Sequence, residues 1–115
     1  MEPAGIILCV SHLMAALLIW AISEPLVKRQ VGPNNWYGFR YGKAMRSEAA
    51  WYDINEYGGR RMQRWWAPIA VAGLLALVVP INNPWVALPI ALMPIGTVWS
   101  GVETWRYQRR YEEPN

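Results

Sequence analysis

Three long apolar runs, almost free of charge, alternate with one polar stretch and one tight turn. The runs occupy residues 4–22, 65–81 and 85–102. The first spans roughly 28 Å as a helix, close to the hydrocarbon thickness of a bilayer. Its rival reading is a cleaved signal peptide, but Glu2 precedes it and no Lys or Arg does, so a retained spanning helix is expected. Pro68 stands near the start of the second run, where a proline either opens a helix or kinks one begun earlier. Residues 80–84, Pro-Ile-Asn-Asn-Pro, predict a compact turn. The second and third runs then form an antiparallel hairpin. Pro89 and Pro94 lie inside the third run and free backbone carbonyls, for which Thr97 and Ser100 are candidate partners.

The polar stretch, residues 24–64, carries structure of its own. Pro33 fixes a backbone angle and pushes Gly32 towards extended geometry. Asn34 and Asn35 suit a turn, and Gly38 and Gly42 permit unusual backbone angles. Residues 32–42 thus read as a shaped loop centred on Arg40, whose guanidinium can bond carbonyls, a carboxylate or a lipid phosphate. Ser47 followed by Glu48 starts a helix running towards Arg64. Trp51, Asn55 and Gly59 recur every fourth residue and share one face of it. Trp51 is expected to bury, Asn55 to bond, and Gly59 to admit another backbone. Glu56 with Arg60, and Asp53 with Arg60 or Tyr57, are expected surface pairs. The Gly58-Gly59 dipeptide predicts a bend. The helix is expected to lie in the membrane interface or to continue into the second span.

Charge sets the orientation. All eleven basic residues lie in the polar stretch or in residues 103–115. With three spans, those two segments share a side. The positive-inside rule places them in the cytoplasm and the N-terminus outside. Trp20, Trp65, Trp66, Trp85, Trp105 and Tyr107 sit near run ends, as an interfacial aromatic belt does. The basic excess therefore points to orientation and anionic lipid, with Lys28, Arg29, Arg60, Arg61 and Arg64 as lipid candidates, and not to direct nucleic-acid binding. The fold class expected is an all-α integral membrane protein. It forms one domain over residues 1–115, with three transmembrane helices, a structured cytoplasmic loop holding a short interfacial helix, and a cytoplasmic tail.

Little catalytic chemistry is in view. His12, the single histidine, lies in the first run. A polar residue at that depth is a functional candidate, for instance as axial ligand to a haem or bacteriochlorophyll. The plainer reading is a hydrogen bond across a helix interface, with Ser11 nearby. Cys9 is the lone cysteine, so no metal cluster and no internal disulfide can form. Glu48, Asp53 and Glu56 share a helix with arginines, and Glu103 is expected to pair locally with Arg106. No enzyme and no obligatory cofactor is expected. The lack of intramembrane acids and bases also argues against ion or proton transport. Small residues, among them Ala15, Ala16, Ala70, Ala72, Gly73, Ala76, Ala91, Gly96 and Gly101, suit close helix contacts.

The loop resembles the signature of the SdpI-like membrane proteins, roughly P-N-x-x-Y-G-x-R-T-x-x-T-[LM]-x-[SN]-x-x-x-W-x-x-x-N-x-x-x-G. Pro33, Asn34, Tyr37, Gly38, Arg40, Met45, Ser47, Trp51, Asn55 and Gly59 meet it, while Tyr41 and Ala44 replace its two threonines. The resemblance implies a helical protein of the bacterial cytoplasmic (inner) membrane. The family's namesake protects its producer from a secreted peptide toxin and holds a transcriptional repressor at the membrane. By extension, this chain is expected to serve immunity or signalling against a membrane-active peptide. Its loop would contact other membrane proteins or a soluble regulator, and its spans membrane lipids. The competing reading is a non-catalytic accessory subunit at the edge of a respiratory or photosynthetic complex. The motif itself is either a clip that folds the loop onto the bundle or a binding site.

Overall fold

The computed structural model describes residues 2–113. Helix α1, Pro3–Val27, is followed by the loop and by α2, Glu48–Gln63. Next come α3, Trp66–Leu75, then α4, Pro84–Leu92, a 3-10 segment at Met93–Thr97, and α5, Val98–Arg110. The described residues contain no strand. The molecule measures 56 × 23 × 20 Å. Its long axis exceeds the roughly 30 Å hydrocarbon core.

Helix α1 opens with Pro3 in its first turn, where the missing N–H is no loss. Its buried residues are Gly5, Cys9, His12, Ala16, Ile19, Ser23 and Leu26. Their spacing alternates four and three, the period of a coiled-coil seam. The seam is less apolar than the outer face, where Ile7 and Leu17 are each 67% exposed. Small and polar residues inside with bulky apolar ones outside is the arrangement of a membrane helix. Helix α3 packs along this seam. A Cβ on Gly73 would lie 2.7 Å from the His12 Cβ, and one on Gly5 would strike the Ala76 carbonyl oxygen. The backbones touch there, so van der Waals packing can hold the pair where lipid offers no hydrophobic drive.

The helix boundaries differ from the hydropathy pattern in three places. The second run is helical over only ten residues, Trp66–Leu75. A turn at Arg64 and Trp65 separates it from α2, and Pro68 sits in its first turn. The third run does not end at residue 102. Helix α4, the 3-10 segment and α5 follow one another without a gap, so residues 103–110 of the expected tail are helix. Among the described residues, two segments are long and apolar enough to cross a membrane, Pro3–Val27 and Pro84–Arg110. Finally, α2 continues through Gly58-Gly59. The two glycines admit neighbours instead of interrupting the helix.

The prolines of the third segment have a specific partner. Pro94 lacks the N–H that would meet the Ile90 carbonyl one turn back. That carbonyl takes the Met93 N–H in a tighter turn and, in addition, a hydrogen bond from His12 Nε2 at 2.7 Å. The expected hydroxyl partners act elsewhere: Thr97 Oγ1 donates to the Pro94 carbonyl at 2.8 Å, and Ser100 Oγ to that of Thr97 at 2.5 Å. In the turn before α4, the Asn83 side chain accepts from the Trp85 N–H at 2.9 Å and Pro84 opens the helix.

Candidate functional site: the loop clamp

The signature residues converge at one end of the bundle, where loop, α2 and α5 meet. Asn34 organises the loop entrance. Its Oδ1 accepts from the N–H groups of Trp36 (2.9 Å) and Tyr37 (2.6 Å). Its Nδ2 donates to the carbonyls of Gly32 (2.9 Å) and Tyr37 (3.0 Å). All four valences of one amide are thus spent on shaping the turn. Tyr37 ties the turn to α1 by donating its hydroxyl to the Ile22 carbonyl. Desolvation by burial raises the Tyr37 hydroxyl above its ordinary pKa, which keeps it a donor.

Gly38 follows with φ +114°. A Cβ there would lie 2.6 Å from Asn55 Oδ1 and 3.1 Å from the Trp51 ring. Glycine is therefore required for both conformation and space. Asn55 grips the next residue on both sides: its Oδ1 accepts from the Phe39 N–H at 2.6 Å, and its Nδ2 donates to the Phe39 carbonyl at 3.1 Å. Nδ2 also reaches the Trp51 carbonyl at 3.0 Å, within α2. Trp51 is fully buried and donates Nε1–H to the Val31 carbonyl at 2.8 Å. Ser47 caps α2 by accepting from the Ala50 N–H at 3.0 Å, and its hydroxyl donates to Glu113. Gly59 seats α2 against α1, where a Cβ would meet Leu26, Val27 and the Ser23 carbonyl at 3.1–3.2 Å.

Gly58 does the same job on the opposite side and was not among the expected site residues. A Cβ there would lie 2.5 Å from the Phe39 ring and 2.9 Å from Thr104 Oγ1. The dipeptide was readable as a weak point of the helix, but not as a contact, because both neighbours come from distant segments. Phe39, Thr104 and Gln108 were missed for the same reason. Thr104 is fully buried and Gln108 Oε1 accepts from the Lys43 N–H at 3.3 Å.

The two threonine replacements have defined places. Tyr41 donates its hydroxyl to the Gly101 carbonyl at 2.7 Å, and Ala44 is fully buried in a core with Ala50, Trp51 and Ile54. Lys43 Nζ donates to the carbonyls of Arg109 (2.7 Å) and Tyr111 (3.2 Å) at the end of α5. Tyr57 and Tyr107 stack 4.0 Å apart, joining α2 to α5. Besides Gly38, three signature residues are exposed: Pro33, Met45 and Arg40, whose guanidinium donates to the Asn35 carbonyl. Trp36, at the loop tip, is 90% exposed.

Several expected pairings are replaced by long-range ones. Asp53 bonds neither Arg60 nor Tyr57. It meets Arg29 at 3.0 Å and accepts the Tyr111 hydroxyl at 2.5 Å. Burial, that hydrogen bond and the nearby charges of Asp53 and Glu113 raise the Tyr111 pKa. Glu103 pairs with Arg61 at 3.2 Å across α2 and α5, not with Arg106, which lies over the Trp99 ring. Glu56 and Arg60 do approach, at 4.0 Å.

The five lipid candidates fall into two groups. Lys28 (to Glu24, 3.3 Å), Arg29 and Arg61 are held in ion pairs. Arg60 has only the 4.0 Å approach to Glu56, and Arg64 has no ion pair among the described residues. His12 is 3% exposed and its Nε2 is spent on Ile90, with Ser11 Oγ 3.5 Å from Nδ1. Carbonyls only accept, so Nε2 carries the proton and the imidazole lone pair lies on Nδ1. The buried ring, with Ser11 Oγ beside Nδ1, presents no open face to the expected haem or bacteriochlorophyll. Among the described residues, no three His, Cys, Asp or Glu side chains gather as metal ligands.

Residues 30–102 match the family model described as the SdpI/YfhL protein family. No curated protein and no solved structure matches the chain.

Proposed function

Because the chain belongs to the SdpI/YfhL protein family, we propose that it is a non-catalytic immunity or signalling protein of the bacterial inner membrane, acting through protein contacts against a membrane-active peptide. One observation carries this reading. The amide side chains of the signature, half-buried Asn34 and buried Asn55, are spent on the chain's own backbone. The motif thereby builds a rigid platform, and Trp36 and Arg40 project from it as the contact points for a soluble regulator. Tryptophan and arginine are the side chains that most often anchor protein interfaces.

The topology proposed has three crossings, with the N-terminus outside and the clamp and C-terminus in the cytoplasm. Its support is twofold. The segments carrying every basic residue pack together at the clamp end. Helix α3 and the turn after it run along α1 from Trp20, beside Trp66, to Gly5, beside Ala76. That distance is roughly 22 Å at helical rise, most of the hydrocarbon depth.

The test is to produce the chain in a bacterium killed by a secreted membrane-active peptide. Survival should rise, and a soluble protein should co-purify with the parent but not with Trp36→Ala, at equal accumulation of both. Unchanged killing across a panel of such peptides would sink the immunity reading.

A further inference from the structure

We propose that the cleft between α1 and α3 is a binding site for one anionic phospholipid. Leu13, Ala16, Leu17 and Trp20 of α1, with Trp66 and Ala70 of α3, line an apolar groove of about 430 Å³. It is the size of a small-ligand cleft and opens at the bundle surface beside the exposed Leu13 and Leu17. A second, polar recess shares Trp20 and Trp66 with it and adds Arg60, Gln63 and Arg64. The two adjoin at Trp20 and Trp66, an apolar groove beside a cationic recess.

Charge identifies the occupant. Arg60 and Arg64 are exposed and are the two members of the basic cluster without a close ion pair among the described residues. The acids nearby are committed elsewhere: Glu24 accepts from Gln63 Nε2 at 2.6 Å and pairs with Lys28, and Glu56 also approaches Arg29 at 4.0 Å. Trp20 and Trp66 meet edge to face, centroids 6.0 Å apart, at the junction of the two zones. Tryptophan favours the level where headgroup meets acyl chain. Arginine binds phosphate bidentately and can reach it while its stem stays on apolar surface. A transmembrane helix from a partner would fill the body of the groove but leave both guanidinium groups unanswered. An acyl chain with a phosphate headgroup satisfies both halves.

The test uses the chain purified in a nonionic detergent and titrated with dioleoylphosphatidylglycerol or dioleoylphosphatidylcholine, with bound lipid read by native mass spectrometry. One phosphatidylglycerol per chain should be retained about thirtyfold more tightly than phosphatidylcholine, the scale expected for two basic residues near a headgroup. Arg60→Gln combined with Arg64→Gln should abolish that preference. Arg106→Gln combined with Arg109→Gln removes equal charge elsewhere and should preserve it. Ala70→Leu, which narrows the groove without changing charge, should weaken both lipids alike. Inorganic phosphate should not compete. Equal retention of the two lipids by the parent, equal loss in both charge variants, displacement by phosphate alone, or a lipid-free dimer closed over the groove would each overturn the proposal.

Discussion

His12 Nε2 lies 2.7 Å from the Ile90 carbonyl oxygen, the group that Pro94 deprives of its helical N–H. One side chain in α1 therefore supplies a second donor to a carbonyl that otherwise keeps only the Met93 N–H, and that bond gives a polar residue its partner at this depth. Interhelical hydrogen bonds of this kind contribute about 0.6–1.7 kcal/mol in membrane proteins. The relationship predicts coupling. His12→Ala should cost about 1 kcal/mol in the parent. It should cost clearly less when Pro94→Ala has restored the N–H, because the carbonyl then has the helical donor beside the Met93 N–H and depends less on His12. A double-mutant cycle of unfolding in detergent measures this, and strictly additive effects would show that the two positions are independent.

Asn55 holds the loop through both backbone groups of Phe39. Asn55→Ala leaves those groups without their partner, and each buried orphan costs about 1–3 kcal/mol. The loop should then become sensitive to protease between residues 30 and 47 while α1 remains protected. Asn55→Asp keeps the acceptor but loses the donor, so its loop should be cleaved at an intermediate rate. Wild-type protection in Asn55→Ala would exclude the clamp.

Two glycines of the loop and α2 should differ in their tolerance of alanine. Gly58 has the Phe39 ring and Thr104 against it, so Gly58→Ala should destabilise by about 1–3 kcal/mol, an overpacking cost that outweighs the gain in helix propensity. Gly42 has no atom within 4 Å of an added Cβ, so Gly42→Ala should shift stability by less than about 0.5 kcal/mol. Thermal unfolding of the two variants in the same detergent compares them directly, and equal shifts would refute the packing argument.

Tyr111 pins the end of α5 to α2 through Asp53. Its folded pKa is raised above the ordinary tyrosine value of 10.0, first by burial and then by Asp53. The neutral phenol is thus the form that the fold prefers. The stabilisation is complete below the unfolded pKa, and it is lost as pH rises above about 10 towards the folded value. Stability of the parent should fall in that window more steeply than stability of Tyr111→Phe, which has no such proton to lose. Parallel pH profiles for parent and variant would count against the Tyr111–Asp53 bond.

The family was legible because the loop signature is a set of residue types at fixed spacing, and the matched span of residues 30–102 encloses it. Local readings also carried over into structure where the cause was local. Ser47 caps α2, Asn83 and Pro84 start α4, and Trp51, Asn55 and Gly59 are buried together on one face. Each depends on a few consecutive residues and the geometry of one helix turn.

By itself, then, the sequence determined the apolar segments, the turn between the last two, the caps, and the concentration of positive charge in two segments. These follow from length, periodicity and short-range bonding, which do not need a partner. The tertiary structure alone decided the partners. Asn55 could have bonded any of several carbonyls, and it meets Phe39 because Gly38 and Gly58 let the loop lie against α2. Glu103 had Arg106 within reach on its own helix, yet pairs with Arg61 because α5 packs beside α2. His12 meets a carbonyl 78 positions away. Polar groups buried in a bundle must be satisfied by whatever the packing brings near, and which groups those are is settled only when the helices have met.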